Sequence, residues 1–330
     1  CQFLSRAEEI AAAFRSSSEA VADRQAALLE ESKQIALEVS ARLAKVADLN
    51  QRIAAAQAMG QPAADLRDAR DTIVREVGDR IGVQAIEEPN GMLTLLSSGT
   101  SLVSGAQASS LGVSVGGTGV LRIEVIKPGG ATSDITSRVD AGSLGGVRQV
   151  RDQDLVKLQT ELDQMAFDFA TSVNTAHSGG FGLDGVSGRP LFTPPTGVAG
   201  AARALTLDAA MVGQPDRVAA TTSAGSLPAG NDLALVLAGL ASQPMGAGGT
   251  PAERYGSFAG QLGNMQVSAS EATTMREATV GMARQMKEQA SGVSVEEEMV
   301  DLSRYQRAFE ASMRVLKVAD ELLEGLVRQL

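Results

Sequence analysis

The sequence predicts an α+β multidomain protein: a long-helix bundle with an inserted small antiparallel β domain and an amphipathic, coiled-coil-like C-terminal helix. Three observations carry this. All ten prolines lie between Pro62 and Pro251, and 28 of the 35 glycines share that interval, so helix breakers are confined to the middle. Both flanks carry apolar residues at helical spacing. Residues 83–143 switch to short β-branched or leucine-rich runs separated by turn signals.

In the N-terminal flank Phe14, Val21, Leu28 and Ile35 stand seven apart, and Val39, Val46, Leu49 and Ile53 prolong the stripe. A helix of about 55 residues would reach roughly 80 Å, longer than any one globular core, and so belongs to a bundle or a rod. Met59-Gly60-Gln61-Pro62 reads as a turn into a second helix faced by Leu66, Ile73, Val77 and Ile81 and ended by Gly82, making an antiparallel helical hairpin. Val83–Ile86, Met92–Leu96, Leu111–Val115 and Val120–Ile126 are candidate strands, punctuated by Pro89-Asn90-Gly91, Gly116-Gly117 and Pro128-Gly129-Gly130. Helical spacing returns near Gly146 and runs through Leu155, Leu158, Leu162, Met165, Phe169 and Val173 to Gly179-Gly180. A short helix is expected from Asn231-Asp232 to Leu240, and a longer one over 251–289. The expected domains are a helical bundle from 1–82, 144–180 and 231–290, a β-rich insert at 83–143, a variable loop and β excursion at 181–230, and an assembly helix at 291–330. The glycine-rich junctions near 142–146, 246–249 and 291–292 are candidate hinges.

Composition narrows the chemistry. The net charge is −10 with no Lys/Arg cluster, a poor match to nucleic acid or to an anionic membrane surface. One Cys and one His exclude an internal disulfide, a multi-thiolate metal site and the H-E-x-x-H pattern. No metal or cofactor site and no catalytic constellation is expected. Gly112-Val113-Ser114-Val115-Gly116 matches G-x-S-x-G, but a nucleophile elbow needs a helix after its turn, and a strand-like run follows instead; a turn among small residues is the better reading. His177 falls near a helix C-terminus, where a capping or surface role is expected. Glu296-Glu297-Glu298 with Asp301 reads as helix N-terminal chemistry, Ser294 and Glu297 forming a capping box.

The candidate functional residues lie at the C-terminal end. Val295, Met299, Leu302, Phe309, Met313, Leu316, Leu323, Val327 and Leu330 keep an alternating 4–3 spacing, interrupted only by Gln306 and Asp320. That is a heptad stripe, and its expected role is partner binding. The chain opens at Cys1 directly into helical periodicity, which points to cropping upstream rather than to a lipid-modified cysteine.

Val295-Glu-Glu-Glu-Met299, Leu302, Tyr305-Gln306, Ala308-Phe309, Ala311-Ser312, Val315 and Ala319-Asp320-Glu321-Leu322-Leu323 resemble the C-terminal signature of the flagellar rod, hook and hook-associated protein family. Ala47–Ile53, Asp65–Asp71, Ile81-Gly82-Val83 and Phe181–Gly185 extend the resemblance, most closely to its hook-associated branch. Members also carry an N-terminal helix and an A-N-x-x-T-P-G-Y-like motif that this sequence does not contain. The resemblance implies a structural, non-enzymatic subunit located extracellularly, at the junction of hook and filament. It implies ring-like homo-oligomer formation, the hook protein and hook-associated protein 3 as neighbours, and type III export without a cleaved signal peptide. It further implies that a cytosolic chaperone holds the C-terminal helix before export, a fit for a helix-in-groove partner. The alternatives are another axial protein of hook or rod type, a non-flagellar coiled-coil scaffold, or a secreted adhesin.

Overall fold

A computed structural model describes residues 2–246, 248–291 and 299–314. Two compact units are present, Cys1–Phe258 and Ala259–Leu330. The fold is α+β, with small antiparallel sheets set among long helices.

The first unit is organised on helix α1 (Gln2–Ala58), 57 residues without a proline or glycine. Rich in Ala, Glu, Gln and Arg, it uses the strongest helix formers. It serves two hydrophobic cores in succession. Leu4, Ala7 and Ala11 enter one core; Leu28, Ile35, Val39, Leu43 and Val46 enter the other. Between them the helix contacts its neighbours through polar groups: Gln159 donates to the Ser18 hydroxyl at 3.0 Å, and Arg151 Nε donates to the Gln25 carbonyl at 3.2 Å. Helix α2 (Ala64–Ile81) packs on α1 and ends at Gly82, whose positive φ of 61° places its amide 2.9 Å from the Gly78 carbonyl. Arg42 of α1 meets Glu76 of α2 at 2.8 Å.

Seven strands follow. Strands β1 (Gln84–Glu87), β2 (Leu93–Ser97), β3 (Thr100–Ser104) and β4 (Gln107–Ala108) form one antiparallel sheet in sequential order. Strands β5 (Ser110–Val115), β6 (Leu121–Ile126) and β7 (Thr132–Asp134) form a second. Strands β3, β4 and β7 escaped the sequence reading, because two of them are very short and Thr100–Ser104 holds only two apolar residues. Along β2 and β6 burial alternates, as period-two side chains require. The buried positions Leu93, Leu95, Leu102, Val103, Leu111, Ile123 and Val125 share one core with α1, α2 and the following helix.

Helix α3 (Gly142–Gln149) starts four residues before the expected point and passes through a five-residue π-helical segment, Val150–Asp154, into α4 (Leu155–Ser178). The first of the expected hinges is therefore a close-packed helix start. Gly142 has φ +70°, and a Cβ there would lie 2.6 Å from the Ile81 nitrogen; one on Gly145 would lie 2.6 Å from the Asp140 carbonyl carbon. Backbone touching backbone is the opposite of a hinge. The junction at 291–292 reaches beyond the described residues.

Helix α4 lies along the N-terminal half of α1, and Phe14, Phe169 and Phe192 form an aromatic chain with centroids 6.1 and 5.4 Å apart. Short helices α5 (Ala201–Ala204) and α6 (Asp232–Gly239) complete this core. Helix α7 (Pro251–Ser291) begins in the first unit, where Arg254 pairs with Asp168 of α4 at 2.6 Å, and continues in the second. Residues 299–314 are helical.

Candidate functional site

Of the nine predicted partner-binding residues, Met299, Leu302, Phe309 and Met313 fall on the helical stretch 299–314. At 100° per residue they share an arc of about 80° with Gln306, so the 4–3 spacing does produce one continuous face. All four are open to solvent in the single chain, with relative exposures of 66, 55, 67 and 53%. Tyr305 flanks the face and is exposed as well, and Val300, on a different side of the helix, is also exposed. Val295, Leu316, Leu323, Val327 and Leu330, like the proposed Ser294–Glu297 capping box, lie outside the described residues.

A second exposed stripe escaped the sequence reading. On α7, Met275, Met282 and Met286 stand at i, i+7 and i+11, within about 40° of one another on the helix circumference, and all three side chains are exposed. The sequence carries the signal as a seven-residue spacing, masked by Gly256, Gly260, Gly263 and Gly281 in the same helix. Unbranched and polarizable, methionine adapts to differing partner surfaces.

The polar candidates resolve differently. Ser114 lies inside β5, paired with Arg122 of β6, so strand leads to strand through a hairpin and the elbow geometry is missing. The turn itself falls at Gly116–Gly119, where the Gly119 amide donates to the Gly116 carbonyl at 2.9 Å. His177 is not the expected surface or capping group: it is 1% exposed. The Ala219 amide donates to its Nε2 at 3.0 Å, which places the ring proton on Nδ1, 2.8 Å from the Arg189 carbonyl. Burial pushes its pKa down and the Arg189 guanidinium adds to that, while the bond to the Arg189 carbonyl opposes it. Among the described residues no group of His, Cys, Asp or Glu side chains is arranged to hold a metal, and no helix is long and apolar enough to cross a membrane.

A concave apolar feature stands among the described residues of the first unit. A cavity of about 310 Å³ lies between the first turns of α1 (Phe3, Ile10), α4 (Phe169), Phe192 and α6 with the turn after it (Leu237, Leu240). Apart from Arg6 its lining is apolar, so it offers chiefly shape and hydrophobic contact.

Comparison with known proteins agrees with the architecture. The family model described as "Flagellar hook-associated protein FlgK helical domain" matches residues 1–192, and "Flagellar basal body rod FlgEFG protein C-terminal" matches residues 287–328. Flagellar hook-associated protein 1 of Escherichia coli is 31% identical over 154 residues, 45% of this chain and 28% of that protein. The Salmonella typhimurium protein of the same name is 29% identical over 179 residues, 50% of this chain and 32% of its own length. The Bacillus subtilis one is 24% identical over 98% of this chain and 70% of its own length. The chain thus spans about a third of the length of the first two (28% and 32%). The solved structure of the flagellar hook junction protein FlgK from Burkholderia pseudomallei superposes with a TM-score of 0.53 at 25% identity, covering 58% of this chain and 35% of that one.

Proposed function

This chain belongs to the family of flagellar hook-associated protein FlgK, and on that premise we propose that it is a structural, non-enzymatic subunit of the bacterial flagellum, seated at the junction between hook and filament. The observation that carries the reading is the match of the helical domain over residues 1–192, the part built on α1, α2, α4 and the two sheets. Copies of the chain assemble as a ring, with the hook protein on one side and hook-associated protein 3 on the other. Assembly of this kind needs heterologous contacts repeated from copy to copy. The exposed face of Met299, Leu302, Phe309 and Met313 supports such contacts, since an apolar helix face gains by leaving water. The same face, continued to Val295 and Leu330 in sequence, is offered to a cytosolic export chaperone before assembly. Residues 1–82, 144–180 and 231–290 act as the stiff helical column, 83–143 and 181–230 as lateral excursions, and 291–330 as the assembly helix. The subunit leaves the cell by type III export without a cleaved signal peptide.

The test is deletion of the gene in a motile bacterium that carries it, followed by microscopy of the cells and immunoblotting of the medium for flagellin. Bare hooks with flagellin shed into the medium are the expected result. Filaments still attached to the deletion strain would overturn the junction assignment.

A further inference from the structure

His177 joins three segments that are distant in sequence and sits under the anchor of α6. Its Nε2 accepts from Ala219, and the carbonyl of the next residue, Ala220, accepts from the amides of Leu233 and Ala234 at 3.1 and 3.2 Å. Those two amides belong to the first turn of α6, and Leu237 on the same helix walls the apolar cavity, with Leu240 just beyond its end. Leu233 itself is buried, so α6 is held at its start and leans over the cavity at its end. The backbone of 216–221 is otherwise tied to 181–183 by Leu183 to Asp216, Phe181 to Thr221 and Ala220 to Phe181. Among the described residues, the imidazole links this segment to the side-chain interior of α4 with a group that can change its donor and acceptor roles.

We propose that His177 is an acid-sensitive latch: protonating its Nε2 converts an acceptor into a donor facing the Ala219 N–H, releases the 216–222 segment with the first turn of α6, and opens the apolar cavity. Two donors cannot share that 3.0 Å gap. The sign follows from linkage. The closed form holds the imidazole below its ordinary pKa of about 6.5, so the open form binds the extra proton; the latch is fully closed above that value and opens as pH falls toward the lowered folded one. Among the charged groups on the elements packed around the site, Arg189 acts on the ring directly, Asp184 is paired with Arg189, Asp216 and Arg217 lie on the segment before Ala219 with Arg217 donating to the Ala210 carbonyl, and Asp232 at the head of α6 holds Thr222. Two of these carboxylates stay ionised through the window. Asp232 is pulled down to about 2, chiefly by the Thr222 hydroxyl, and Asp184 is lowered chiefly by its bond from Arg189.

The chain holds a single histidine, so its imidazole resonance is unambiguous. The test follows that resonance by NMR on the full chain as pH falls, with amide exchange at Ala219 and Leu233 corrected for intrinsic rates. A His177→Gln variant, which keeps a donor and an acceptor but does not titrate, is run alongside. Protection of both amides should drop about tenfold per pH unit below the ordinary histidine value in the wild type. It should stay flat in His177→Gln, and anilinonaphthalene sulfonate fluorescence should rise in the wild type alone. Amides that stay protected while the ring titrates would sink the proposal, as would an equal loss in the variant or a ring that stays neutral until the chain unfolds. If the variant does not fold, the wild-type coincidence of ring titration and amide release decides alone.

Discussion

Asn50 of α1 is fully buried, and each end of its amide is used. Nδ2 donates to the carbonyls of Leu93 and Gly105 at 2.7 and 2.8 Å; Oδ1 accepts from the Leu93 amide at 3.0 Å and from Arg70 Nη1 at 3.2 Å. One side chain thus ties α1 to β2, to the β3–β4 turn and to α2, with the buried Arg70 also donating to the Gly91 carbonyl at 2.7 Å. Replacing Asn50 by Leu removes the partner of the Leu93 amide and one partner each of the Leu93 and Gly105 carbonyls, while Arg70 keeps only its bond to Gly91 among these. At about 1–3 kcal/mol for each stranded group, the loss should reach ~3 kcal/mol or more, read as a fall in the urea midpoint by circular dichroism. Asp163 and Asn174 follow the same logic: Asp163 accepts from the amides of Gly200 and Ala202 at the start of α5, and Asn174 binds Leu191 and Phe192. None of these roles was legible in the sequence. Their partners lie 17 to 55 residues away, and no local spacing encodes a bond across that distance.

Helix boundaries were the most legible feature, since α1, α2 and α4 each present a long periodic face with glycine or a turn at the end. Glycine was misread where it serves packing. Residues 142–146 looked like a soft junction because three glycines cluster there, yet Gly142 sits against the end of α2 in a left-handed conformation and Gly145 against Asp140. The two roles separate by substitution. Gly142→Ala meets both a positive φ and the Ile81 backbone, and should destabilise by ~2–4 kcal/mol. Gly146→Ala, in the same helix with open space where the methyl would go, should stabilise by up to about 1 kcal/mol. Opposite signs from positions four residues apart, measured by thermal melting, would establish α3 as a fixed joint; destabilisation of similar size at both would mean that the whole turn is equally crowded.

At the scale of the whole molecule, apolar surface among the described residues divides into faces enclosed in the two cores and faces left exposed. The apolar stripe of α1 is divided between two cores, and Leu28, Ile35, Val39 and Leu43 are consumed inside the first unit. The stripe through Met299, Leu302, Phe309 and Met313 is as regular in sequence, but each of its four side chains remains exposed. Periodicity alone could not distinguish these two fates, because a helix face destined for an intramolecular core and one destined for another chain obey the same spacing. Burial separates them to the extent that one is enclosed and the other exposed, and the proposed partner role of the exposed face makes a joint prediction about stability and assembly. Substituting both Met299 and Phe309 by Ser removes apolar surface that the single chain does not bury, so the thermal midpoint of the purified chain should hold, with a stability change within about 0.5 kcal/mol. In a bacterium expressing the doubly substituted protein, the proposed partner role of this face predicts that filaments are lost and flagellin is shed into the medium, because two of its exposed apolar side chains are gone. A drop in the midpoint together with lost filaments would mean that the face is internal packing and that motility fails through misfolding. An unchanged midpoint with filaments intact would move the assembly contacts elsewhere, and the methionines at 275, 282 and 286 would be the next face to alter.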